Sequence, residues 1–440
     1  MSTTWTPDTI LALAPEAKSA KSGRDLATLR KWVTLGCHEQ AVWGECQGSA
    51  ESPYQTQIDL AEPAFHCSCP SRKFPCKHAL GLFLLFESQP AAFKSSAPPE
   101  WVAQWLEGRA KRAKQRTGKT AQSADEVADP KAQTKRAAER QSKVAAGLQE
   151  LDTWLQDVIR GGIALVQNRP ASFWKTPAAR MVDAQAPGLA RLVREMSGIP
   201  ASGEGWQERL LNRVGSLHLI IEGYKRIETL PAGTQADIRA LIGWAQDQDE
   251  VLAGETVRDR WLVLGRRVDE EERLRVQRTW LWGCESRRPA LILHFAHNSQ
   301  PLDMSVVPGT GLEASIVFFP GAYPLRVLIK DRLTAPTPLE SLPGYRTIAD
   351  AVAAYANALS LNPWLERFPI TLESIVPVHR DERWWMRDPQ GHVLPLASRF
   401  MKGWHLAALS GGHPMTIFGE WDGDDLLPLS AWSDNRFVQL

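Results

Sequence analysis

No apolar run in this 440-residue chain approaches the roughly 20 residues that a membrane-crossing helix needs. The longest, Ala79 to Phe86, ends far short of that. An excess of charge of one sign is also missing. Fifty-one basic residues face 50 acidic ones, so the whole chain is no generic polyanion binder. Cysteine is scarce, at six residues, and three of them fall between positions 67 and 76. That clustering excludes the disulfide framework of a small secreted scaffold and fits a reducing cytoplasm. The opening Met1-Ser-Thr-Thr-Trp-Thr-Pro7 has no basic start followed by an apolar core, so no signal peptide is expected. Neither a phosphate-cradling Gly-x4-Gly-Lys-Ser/Thr loop nor a Gly-x-Ser-x-Gly elbow occurs. The expectation is therefore a protein that is not an enzyme, although active sites assemble in space and not along the chain. What remains is a soluble globular composition, 43% hydrophobic and 23% charged, long enough for two or three domains. Tryptophan is the one abundant exception, with 18 residues, for which core and interface packing is the first explanation.

The chain is organised around Cys67-Ser68-Cys69, a six-residue spacer, and Cys76-Lys77-His78. Three thiolates and one imidazole complete a tetrahedral set for Zn²⁺, with bonds of about 2.3 Å to sulfur and about 2.0 Å to nitrogen. The competing reading is a disulfide or redox pair. Cysteines two apart rarely meet disulfide geometry, and a histidine in the fourth position has no role in one. Four protein ligands leave no coordination position for water, which makes the ion structural and not catalytic. Arg72, Lys73 and Lys77 lie within the motif. They either offset the net negative charge of a three-thiolate site or meet a phosphate backbone. His66 precedes Cys67 but belongs to the opposite strand face. Cys37 and Cys46 lack ligand spacing, and Cys284 reads as an ordinary core thiol.

This order of ligands resembles the SWIM-type zinc finger, Cys-x-Cys, a variable spacer, then Cys-x-His. The run from Ala41-Val-Trp-Gly-Glu-Cys-Gln-Gly48 through Pro70-Ser-Arg-Lys-Phe-Pro75 is similar to bacterial SWIM-domain proteins, and the similarity covers roughly residues 24 to 90. The resemblance implies one zinc held by Cys67, Cys69, Cys76 and His78. It implies interaction with protein or with DNA or RNA, since SWIM domains are associated with both kinds of partner. By genomic association alone, it also implies work with a MoxR-type AAA+ ATPase and a von Willebrand factor A-domain protein.

Around the motif, residues 7 to 31 read as helix. Val42 to Cys46 and Tyr54 to Leu60 read as strands, and Ala79 to Phe86 as a buried helix. Arg109 to Lys143 then carries eleven basic and four acidic residues with almost no large aliphatic side chain, the signature of a solvated linker. No aromatic interleaves its first part, so base stacking finds no support there. Val144, Leu148, Leu151, Leu155 and Val158 recur at helical spacing. Similar stripes start at Leu189, Leu210 and Ile238.

After Glu255 the period becomes that of strands. Short apolar runs include Arg260 to Leu264, Leu274 to Trp282, Leu291 to Phe295, Ala314 to Phe319 and Ile370 to Val378. One helix is expected over Thr347 to Leu359, and Asp388-Pro-Gln-Gly391 signals a hairpin. Short strands are expected from Trp404 to Trp432. His294 with His297, and Asp422 with Asp424 and Asp425, are weak metal candidates that read better as strand and turn.

The expected fold class is α+β and multidomain. It divides into a SWIM zinc finger of β-hairpin plus helix at 1–107, a basic linker at 108–130, a helical bundle at 131–254 and a mostly antiparallel β domain at 255–440. The expected function is a non-enzymatic, zinc-binding, cytoplasmic adaptor or scaffold for a protein partner. The alternative is a nucleic-acid binder using the finger and the adjoining basic segment.

Overall fold

A computed structural model describes residue 5 and residues 7–11, 13–14, 17–48, 52–60, 64–71, 73–109, 130–271, 274–297 and 302–440. The chain opens with helices α1 (Pro7–Leu11) and α2 (Ala17–Leu26), where the sequence predicts one long helix. Pro15 falls between them, and a proline both lacks an amide donor and disfavours helix in the residue before it. The predicted helix also overshoots, because α2 stops at Leu26 and Leu29–Lys31 forms only a single 3-10 turn before the sheet begins at Trp32. Strands β1 (Trp32–Cys37), β2 (Ala41–Cys46), β3 (Tyr54–Asp59) and β4 (Ala64–Cys67) form an antiparallel meander. A short β5 (Lys94–Ser95) joins the far edge, parallel to β1.

Helix α3 (Lys77–Ser88) packs on one face of this sheet, with every residue from His78 to Phe86 buried. It is apolar all round because the sheet lies on one side and α1 and α2 on the other. The α2–α3 contact is close. A Cβ at Gly81 would lie 2.7 Å from that of Leu26, so only glycine fits there. Helix α4, residues 100–109, covers the second sheet face, where Val102 packs on Ala41 and Trp43. Burial on both faces explains why β2 shows no simple alternation.

The predicted linker at 108–130 lies outside the described residues between 110 and 129. Its first residues belong to α4. Helices α5 (Pro130–Gly161), α6 (Ser172–Asp183), α7 (Pro187–Met196), α8 (Trp206–Lys225) and α9 (Ala232–Ile242) follow, with a short α10 (Gln248–Leu252). All five residues of the Val144 stripe are buried, and the stripes of α7, α8 and α9 meet them in one core. The sequence pattern does not reveal α6. Pro177 sits inside it, and alanines dilute its apolar face of Trp174, Ala178 and Met181.

The remainder holds two six-stranded sheets. The first is ordered β10-β9-β6-β7-β8, with β11 beside β9. Its strands are β6 (Thr256–Glu271), β7 (Leu274–Gly283), β8 (Pro289–His297), β9 (Thr310–Phe318), β10 (Val327–Arg332) and β11 (Thr337–Pro338). Helix α11 (Ile348–Leu361) leads to the second sheet, β14-β13-β12-β15-β16-β17. Its strands are β12 (Phe368–Arg380), β13 (Arg383–Arg387), β14 (Val393–Pro395), β15 (Met415–Trp421), β16 (Leu426–Ser433) and β17 (Arg436–Gln439), with α12 (Gly403–Ser410) inserted before β15. Every pairing between these named strands is antiparallel.

Leu262, Leu264 and Trp280 of the first sheet face Phe418, Leu427 and Leu429 of the second. Trp261, Val263 and Leu281 fill the first sheet's other side. Two corrections follow. Arg260 to Leu264 is only the middle of a 16-residue strand whose polar ends disguise its length. Trp404, expected in a strand, lies in α12, because the strand-like composition there continues through a helical turn anchored on the sheet beneath.

The three parts are packed together. Val307 of the β8–β9 connection is fully buried in the core of the N-terminal module, with Met304 beside it. Trp364, after α11, inserts against the helical core and donates to Ser216 O at 3.2 Å. Glu366 pairs there with Arg213 at 3.0 Å and with Arg191 at 3.8 Å.

Candidate metal centre

Cys67 is the last residue of β4, and Cys69 follows two residues beyond it, after Ser68. Two hydrogen bonds hold this exit in place. Ser68 N donates to Gln55 O and Gln55 N to Ser68 Oγ, each at 2.9 Å. Cys76 caps α3 with extended backbone (φ −74°, ψ 167°) and makes no side-chain capping bond, which leaves its Sγ to point elsewhere. His78 is the second residue of that helix. The chain therefore brings two ligands in on a strand end and two on a helix start.

The four ligand atoms lie within 4.8 Å of one another. Cys67 Sγ stands 3.7 Å from His78 Nδ1. Tetrahedral bonds of about 2.3 and 2.0 Å place sulfur and nitrogen about 3.5 Å apart, so the donor set fits zinc. Cys76 and His78 are buried, and Cys67 and Cys69 are half-buried. The positive end of α3 faces this negative site, as favours thiolates.

Without an ion the thiols share protons unevenly. Hydrogen bonds with Cys67 and Cys76 draw Cys69 well below the usual thiol range. Hydrogen bonds with Cys67 and Cys69 push Cys76 well above it. Burial acts to lower His78, but hydrogen bonds with Cys67 and Cys69 outweigh it and lift the imidazole to about 9. Metal binding releases these protons.

Comparison with known families agrees with the geometry. Residues 54–86 match the SWIM zinc finger, and residues 139–242 match the SWIM-associated four-helix bundle domain. The chain carries a SWIM zinc finger. No curated protein and no solved structure matches the chain.

Around the SWIM finger, Thr56 Oγ1 contacts Cys67 Sγ at 3.2 Å, and the Tyr54 ring lies 5.0 Å from that of His78. These neighbours orient the ligands, as outer-shell groups do. Neither stands out in sequence. His66 is exposed on the other strand face and lies against Trp105 of α4, 6.3 Å between ring centres. Cys46 is buried, and burial pushes its thiol up to about 11. Cys37 is half-buried, with its thiol aimed at Phe93 O.

Lys73 and Lys77 are exposed beside the finger, whereas Arg72 lies outside the described residues. Arg109, counted with the linker by composition, instead ends α4. It pairs with Asp59 at 3.2 Å and covers the Trp105 ring. Cys284, read as a core thiol, is exposed.

The weaker candidates resolve as structural features. His294 and His297 sit on β8, where a three-residue separation puts them on opposite faces, and His294 Nδ1 accepts from Asp303 N at 3.0 Å. Asp422 accepts from Asp424 N and Asp425 N, which makes a turn. A second group, Asp152, His218 and Glu222, escapes sequence reading because α5 and α8 bring it together. There Lys225 Nζ already supplies the positive charge, at 3.1 Å from Asp152 and 2.6 Å from Glu222. Among the described residues, no helix is long and apolar enough to cross a membrane.

Proposed function

We propose that the protein is a non-enzymatic adaptor, in which the SWIM finger is a zinc-pinned structural platform and the β domain carries a docking surface for a protein partner. The observation that carries this reading is the surface of α12. Met401 is 87% exposed and Trp404 72% exposed. Trp404 is held in place, since it meets Trp384 edge-on at 5.0 Å and His379 at 5.4 Å. A Cβ at Gly403 would strike the Trp384 ring at 2.2 Å, so α12 lies directly on that indole. A pinned, solvent-facing Trp404 with the exposed Met401 and Arg399 beside it matches the composition of protein-interface centres, which are rich in Trp, Met and Arg.

A nucleic-acid reading draws on the same finger and on the basic segment, but Arg109 is already committed to Asp59. The partner implied by resemblance is a MoxR-type AAA+ ATPase with a von Willebrand factor A-domain protein. Co-purification of those proteins with the chain, lost on Met401→Ala with Trp404→Ala while zinc is retained, is the expected result. A titration with single- and double-stranded DNA and RNA at about 150 mM salt decides against the alternative, because phosphate-driven affinity falls steeply with salt. Sub-micromolar affinity that disappears on changing Arg72, Lys73 and Lys77 to Ala would replace the adaptor reading.

A further inference from the structure

Between the two sheets of the β domain lies a cleft of about 550 Å³, within the roughly 300–1,000 Å³ range of small-molecule sites. Arg260, Leu262 and Leu264 alternate along one face of β6, so the same strand supplies a charged rim and an apolar floor. Phe418 closes the floor, and the half-buried rings of Trp282 and Tyr345 form walls. At the charged end, the β7–β8 turn brings Cys284 and Arg287 beside Arg260, with Cys284 N donating to Arg260 O at 3.0 Å.

This turn is held firmly. The buried carboxylate of Asp259, 4% exposed, accepts from Glu285 N at 3.0 Å, Ser286 N at 2.8 Å and Ser286 Oγ at 2.6 Å. Arg287 has φ +52°, in the left-handed region that favours glycine. A side chain kept there is the kind of backbone strain that marks functional sites. The opposite rim is pinned as well. Tyr345 N donates to Thr371 O at 2.8 Å, and Gly344 N to Glu373 Oε1 at 2.8 Å. Arg260 and Arg287 are both exposed, and among the described residues neither pairs with a carboxylate. Glu340 is the acidic side chain on the lining, so the arginines are in excess by one charge.

We propose that this cleft binds a small organic anion, a carboxylate, sulfonate or phosphate ester on a flat apolar body. The anion meets Arg260 and Arg287, and the body lies against Trp282, Tyr345 and Phe418. The site is separate from the zinc finger and from the α12 surface.

Two fluorescent probes that differ in charge test the idea on the zinc-loaded full chain. They are 1-anilinonaphthalene-8-sulfonate and its neutral counterpart N-phenyl-1-naphthylamine. The sulfonate is expected to bind with one site per chain. Arg287→Ala or Arg260→Ala should each weaken it about tenfold, the scale of one lost charge-assisted hydrogen bond, and leave the neutral probe unchanged. Alkylating the exposed Cys284 with a bulky maleimide should block both probes, and Cys284→Ser should bind them normally and resist the block. Unchanged melting temperature of each variant shows that the fold is intact. Absence of sulfonate binding, or binding indifferent to both arginines and to the Cys284 block, overturns the proposal.

Discussion

The SWIM finger and the cleft of the β domain are built in opposite ways. The finger collects four ligands from positions 67 to 78, one strand exit and one helix start, and short-range geometry settles it. The cleft takes its lining from positions 260 to 418, across both sheets and the strap that follows β11. The finger's stability is concentrated in one ion that binds the folded state. The β domain spreads its stability over sheet pairing and an ion network centred on one buried carboxylate. Glu420, 2% exposed, accepts from Trp280 Nε1 at 2.9 Å, Arg367 at 2.8 Å and Arg267 at 3.3 Å. A locally encoded site stands out in sequence, and a distributed one does not.

The largest expected effect is on the finger. Removing zinc by chelation, or replacing Cys76 by Ser, forfeits a binding free energy on the order of 10 kcal/mol. Elemental analysis should find one zinc per chain, lost in the variant. Hydrogen exchange should rise across residues 40–90 and at 302–309, where Met304 and Val307 enter the same core, while β12, β15 and β16 stay protected. Loss of protection throughout the β domain would erase the contrast by making both parts one cooperative unit.

The complementary change is Glu420→Ala, which removes a buried carboxylate, leaves the buried Trp280 N–H and the half-buried Arg367 without this acceptor while Arg267 keeps Asp269, and is expected to cost about 3 kcal/mol. Urea unfolding should show a lower midpoint for the β domain, with zinc content unchanged. A variant that releases zinc at the same urea concentration at which its β domain unfolds shows the two parts to be coupled through Val307.

A smaller effect sharpens the finger's side. Gly81→Ala forces a methyl against Leu26 and should cost about 1–3 kcal/mol through overpacking, read as a lower melting temperature without loss of metal.

The smallest concerns the seam between the bundle and the β domain. Asp237 of α9 accepts from Ala322 N at 2.9 Å, and burial raises its carboxyl from 3.8 to about 6. Its folded pKa lies above the unfolded one, so its contribution is fully present below pH 3.8 and is lost as pH rises through about 6. Asp237→Asn keeps an acceptor for Ala322 and removes the titration. The variant should melt close to wild type near pH 4 and modestly higher at pH 7. Equal melting temperatures at both values would show that solvent screens the group.

Much of the architecture was legible because periodicity records burial on one face. The Val144 and Leu210 stripes are helices in one core, and the hairpin at Asp388 forms, with His392 N donating to Asp388 Oδ1 at 2.8 Å. Legibility failed where burial came from two sides or from afar. The two-faced β2, the proline-bearing α6 and the polar-ended β6 carry no clean period. The Asp152–His218–Glu222 group and the cleft rely on residues that only packing brings together.

By itself, the sequence determined the metal ligands, the helix at whose start two of them sit and the alternation of helical and β regions. Those depend on residue chemistry within one or two turns of chain. Tertiary structure alone decided that Val307 enters the finger's core, that Arg109 answers Asp59, that Trp404 is presented on a helix and that Arg260 and Arg287 share one rim. Each of these depends on elements far apart in the chain, and which elements meet is set by how the apolar faces of sheets and helices cover one another. No local pattern encodes that.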